Sequence, residues 1–60
     1  MKVKTLMKVL NRAITSVEWI DKNGSLSLRP FVPDDWTVKS MWVTPDGWLH
    51  VRVSGDFNTL

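Results

Sequence analysis

Apolar positions in the first part of the chain recur at spacings of three and four: Val3, Leu6, Met7, Leu10, Ala13, Ile14 and Val17. On a helix they form one stripe spanning about 120°, the pattern of a helix with one buried face. Lys4, Lys8 and Arg12 fall on the opposite side, and Val9 alone breaks the pattern. The competing reading is a strand over 2–10. It places Leu6 and Leu10 on the same face as Lys4 and Lys8, a poorer fit. It would also give the chain five strands, enough to close a small β-barrel.

The period then changes to two. Ser16 to Asp21 is a short β-type run, and Asp21-Lys22-Asn23-Gly24 is a turn signal, because Asn and Gly tolerate the positive φ of tight hairpins. Ser25 to Arg29 alternates, with Leu26 and Leu28 on one face. Two registers compete. A type I′ turn at Asn23-Gly24 pairs Glu18 with Arg29 and Trp19 with Leu28; a type I turn over Asp21 to Gly24 with a bulge at Gly24 shifts the pairing by one residue. The first is preferred, since it sets opposite charges together and Trp19 over Leu28.

A second hairpin, Thr37 to Val43 with Trp48 to Ser54, turns at Thr44-Pro45-Asp46-Gly47. Pro at the second position and Gly at the fourth predict a type I turn with Gly47 left-handed. This register opposes Val43 to Leu49, Met41 to Val51, Lys39 to Val53, Trp42 to His50 and Ser40 to Arg52. One face is then apolar (Met41, Val43, Leu49, Val51, Val53), and the other carries Val38, Trp42, Trp48, His50 and Arg52. Between the hairpins, two prolines disfavour a central strand over 30–36, with Trp36 folded back as a plug. Gly55 to Leu60 shows no pattern and is expected to fray.

The predicted architecture is α+β, an N-terminal helix packed on an antiparallel sheet of two β-hairpins, within one domain spanning 1–60. Its expected core is Leu6, Leu10, Ile14, Met41, Val43, Leu49 and Val51. At 60 residues the total stability is bounded at roughly 3–9 kcal/mol. Small domains usually need disulfides, a metal or self-association. The absence of cysteine leaves a well-packed core or a partner subunit, so a homodimer is one expectation. Four Trp, two Phe and three Met supply much of the apolar area available for either.

Eight basic against six acidic residues give a net charge of +2, which permits a nucleic-acid partner without requiring one. No apolar run approaches the ~20 residues of a membrane span. Met1 to Leu10 lacks the continuous apolar stretch of a signal peptide, so a cytoplasmic protein is expected.

Candidate chemistry is sparse. There is one histidine, His50, and no tyrosine, while Asp34 and Asp35 read as a turn and the three glycines as isolated turn residues. No enzyme, metal site or cofactor is expected. The informative feature is the aromatic and basic patch of Trp42, Trp48, His50 and Arg52, since Trp and Arg dominate interface hot spots. The bland reading is that the 30–36 connection covers these tryptophans, or that Arg52 lies over Trp42 as a structural pair. The second feature is the stripe Lys4, Lys8 and Arg12, whose mutual repulsion an anionic partner would relieve. Its bland reading is a solvated helix face. The sequence reading is therefore a small non-enzymatic regulator or inhibitor acting by protein–protein contact. Its size and composition are those of small effectors carried by phages and mobile elements, an analogy only. The alternative is a small nucleic-acid-binding module using the basic helix face or the Trp/Arg sheet face.

Overall fold

The computed structural model describes residues 1–13, 16–27 and 32–60, with the side chains of 11–13 left aside. Helix α1 spans Val3–Ala13, as the periodicity predicts, and the strand reading of 2–10 falls away. Val17 lies beyond the helix, in β1. No Ser, Thr, Asp or Asn caps the helix start. Instead Val3 N donates to Trp36 O at 2.8 Å and Lys4 N to Asp34 O at 3.0 Å. The 34–36 turn thus satisfies first-turn amides that the helix itself leaves unpaired.

Strands β1 (Val17–Ile20), β2 (Leu26–Ser27), β3 (Val38–Val43) and β4 (Leu49–Val53) form an open four-stranded sheet in the order β2-β1-β4-β3. The two hairpins are antiparallel, but they meet through a parallel pairing of β1 with β4, so the sheet is mixed. The expected helix on two hairpins is the architecture observed, and the sheet does not close into a barrel.

The second hairpin follows its expected register from Val43↔Leu49 to Ser40↔Arg52, after which a bulge at Lys39 brings Val38 opposite Val53. Gly47 has φ +90, and the turn closes through Gly47 N to Thr44 O and Thr44 N to Trp48 O, both 2.9 Å. In the first hairpin the preferred register is corrected. Trp19 pairs with Ser27 and Ile20 with Leu26, the register shifted by one residue. Gly24 has φ +83 and no non-glycine residue among those described has positive φ, so Asn23 cannot sit in a type I′ turn. The expected partners Leu28 and Arg29 lie outside the described residues.

The reason for the shift is Asp21, a fully buried carboxylate. Its Oδ1 accepts from the amides of Asn23 (2.9 Å) and Ser25 (2.8 Å), and its Oδ2 from Phe57 N at 3.0 Å. Burial alone would raise its pKa, but the amides of Phe57, Ser25, Asn23 and Gly24 outweigh that and hold it below the ordinary carboxylate value. The same contacts correct the expectation for 55–60. Lys22 N donates to Gly55 O at 2.9 Å, and Phe57–Thr59 forms a 3-10 turn capped by the Asp56 side chain. Phe57 stacks on Trp36, ring centroids 5.9 Å apart, which gives the expected plug its seat.

The core gathers Val3, Leu6, Leu10, Trp19, Val32, Leu49, Val51 and Val53, with Met7, Val17, Trp36, Val38 and Phe57 packed around it. Two expected core residues are corrected: Met41 is 41% and Val43 66% exposed. They lie on the apolar face of the sheet, as the alternation requires, but on its edge strand, outside the buried cluster over β1 and β4. Ile14 lies outside the described residues. No helix among the described residues is long and apolar enough to cross a membrane.

Candidate functional site

β3 and β4 present the sequence-predicted patch on the sheet face opposite the core. Trp42 lies directly across from His50, and the two rings stack with centroids 5.4 Å apart and planes inclined by 14°. The parallel pairing then sets Glu18 beside His50, whose Nδ1 is 3.2 Å from Glu18 Oε1. Since a carboxylate only accepts, Nδ1 is the donor in that contact. The result is a cross-strand row, Trp42–His50–Glu18, over three strands. The row leaves the indole part-exposed and stacked on an imidazole that is itself paired with a carboxylate.

Trp42 is 41% exposed. The described part of the 30–36 connection packs elsewhere: Val32 is in the core cluster and Trp36 lies against it. Pro30 and Phe31 are outside the described residues. The ring stacked on Trp42 is His50, and not the guanidinium of Arg52. Arg52 is exposed one register position along, opposite Ser40, and Trp48 is half-buried beside the turn. Of the four predicted residues, Trp42 and His50 are in contact, while Trp48 and Arg52 flank them on the same face by strand alternation.

Glu18 was missed by the sequence reading because nothing local announces a parallel β1–β4 pairing. Exposed Met41 and Val43 were missed because alternation reports the face of a sheet and not whether anything covers it. With Trp42 they make a run of consecutive exposed apolar side chains on an edge strand.

A carboxylate–imidazole pair can orient a base, but general-base work also needs a nucleophile and a pocket. Here the pair is half-buried beside an indole, and no nucleophile among the described residues is in contact with it. Among the described residues no group of three His, Cys, Asp or Glu side chains converges as metal ligands would. On the helix, Lys4 and Lys8 are exposed, and the Arg12 side chain is outside the described residues. Lys4 shares an open depression with Lys2, Thr5, Asp34 and Asp35, so acidic side chains border the start of the basic stripe. Compared with known proteins, the chain matches no family model, no curated protein and no solved structure.

Proposed function

We propose that this chain is a small non-enzymatic regulator or inhibitor that acts by protein–protein contact through its C-terminal hairpin. The observation that carries the reading is the run Met41-Trp42-Val43, exposed by 41%, 41% and 66% on an edge strand, with the Trp42 ring held by His50. Trp42, with Arg52 on the same face of the sheet, has the composition of an interface centre, and Met41 and Val43 carry the apolar exposure round to the other face of the same edge strand. A pre-positioned indole also loses little conformational freedom on binding. Nucleic-acid binding through the helix is less well supported, because Asp34 and Asp35 border the basic stripe at Lys4.

Affinity capture from lysate with and without nuclease treatment, using the unaltered chain and single and combined variants, tests the reading. Trp42→Ala or Trp48→Ala is expected to weaken capture roughly 30- to 1,000-fold, the loss of a hot-spot tryptophan, with the circular dichroism spectrum retained. Replacing Lys4, Lys8 and Arg12 together is expected to change it little. Capture that is lost with the three charges, depends steeply on salt and survives both tryptophan changes would reverse the assignment in favour of nucleic acid.

A further inference from the structure

We propose that β3 pairs antiparallel with β3 of a second copy of this chain, about a two-fold axis passing through Trp42. This rests on the reading of the hairpin as a contact surface and names one occupant for its edge. Thr44 N donates to Trp48 O, inside the hairpin. Because backbone groups alternate in direction along a strand, the N–H and C=O groups of Met41 and Val43 point to the outer edge. The first part of that edge is occupied: Val38 N donates to Met1 O at 2.8 Å, and Lys2 bridges Thr37. The open stretch therefore runs from Ser40 to the turn.

A two-fold through Trp42 suits this stretch and its neighbours do not. It sets Met41 opposite Val43 of the second copy and Val43 opposite Met41, so the outward-pointing groups of each pair exchange both N–H···O bonds. Moving the axis to Met41 would place Lys39 opposite Val43, and moving it to Val43 would place Pro45, which has no N–H, opposite Met41. The axis through Trp42 sets Lys39 of each copy opposite Pro45 of the other, beyond the open stretch and one position from Asp46, which leaves opposite charges near each other at both ends of the pairing. The two Trp42 residues face each other across the axis. The Glu18–His50–Trp42 row then continues into its own symmetry mate, and the exposed side chains of Met41 and Val43 cover one another on the opposite face.

The purified chain alone tests this, so its failure leaves the partner-binding reading standing. One strand per copy is a small interface, and sedimentation equilibrium should therefore extend to several hundred micromolar. The expected result is a mass twice the 6.9 kDa of the chain, returning to 6.9 kDa in Val43→Lys. Val43 is 66% exposed, so that variant should keep the native circular dichroism spectrum. The chain has no cysteine, which makes single thiols informative. Trp42→Cys should form a disulfide-linked dimer under mild oxidation, because non-hydrogen-bonded antiparallel positions place Cα atoms about 4.5 Å apart. Ser40→Cys should not, its two copies being offset by about 13 Å along the strands. A chain that remains at 6.9 kDa throughout overturns self-pairing and leaves the edge to a strand of another protein. A dimer unaffected by Val43→Lys, or one linked as readily through Ser40→Cys, overturns the β3 pairing.

Discussion

Each hairpin turns through four residues ending in a glycine with φ near +90, at Gly24 (φ +83) in the first and Gly47 (φ +90) in the second. Each closes with the same pair of backbone bonds, from the fourth residue to the first and from the first to the fifth. Beyond the turns the hairpins diverge. In the first, Trp19 is 2% exposed, and the opening residue Asp21 is buried with its carboxylate bound to three amides, one of them on Phe57. In the second, Trp42 is 41% exposed, and the opening residue Thr44 satisfies its hydroxyl locally, on Asp46. One turn chemistry therefore serves two ends. The first hairpin is fastened to the C-terminal segment, while the second gives Leu49, Val51 and Val53 to the core from β4 and projects β3 as an edge strand with exposed side chains.

The largest effect should separate the two tryptophans. Trp19→Ala removes a buried aromatic and should cost about 3–5 kcal/mol, enough to unfold most of the protein at this size. Trp42→Ala should cost under about 1 kcal/mol, as expected for a part-exposed side chain. Urea melts followed by circular dichroism at low micromolar concentration would measure both. Equal losses would show that Trp42 is as structural as Trp19.

Next comes the opening residue of the first turn. Asp21→Asn cannot accept from all three amides and should be clearly destabilised at neutral pH. The folded pKa of Asp21 is lowered, so its contribution is fully present above the ordinary carboxylate range. It is lost as the pH falls through the lowered folded value. The gap in melting temperature between wild type and Asp21→Asn should therefore narrow as the pH falls below about 4. A gap that stays constant between neutral pH and strong acid would show that the ionised carboxylate contributes nothing.

The smallest effects test the shared turn. A Cβ at Gly24 or Gly47 would meet nothing within 4 Å, so the penalty of Gly24→Val or Gly47→Val is one of backbone conformation alone. Each should cost about 1 kcal/mol or more, and the two losses should be alike. Asn23→Ala should change stability by less than about 0.5 kcal/mol, since Asn23 lacks positive φ. A neutral Gly47→Val or a costly Asn23→Ala in thermal melts would break the equivalence.

Local chemistry determined a good part of this protein. The three-and-four spacing from Val3 to Leu10 specified the helix and its buried side. Pro45 and Gly47 specified the second turn and, through it, which residues of β3 and β4 face each other, Trp42 with His50 among them. These features were legible because each depends on neighbours a few residues away. The tertiary structure decided the rest. The first register runs against the local preference of Asn23-Gly24 and goes with a buried Asp21 carboxylate, which accepts from Asn23 and Ser25 within the turn and from Phe57, 36 residues beyond Asp21. Glu18 reached His50 only through a parallel pairing between the two hairpins. Met41 and Val43 follow the core pattern yet lie open, because alternation sets the side of a sheet a residue faces, while cover depends on where the other elements end.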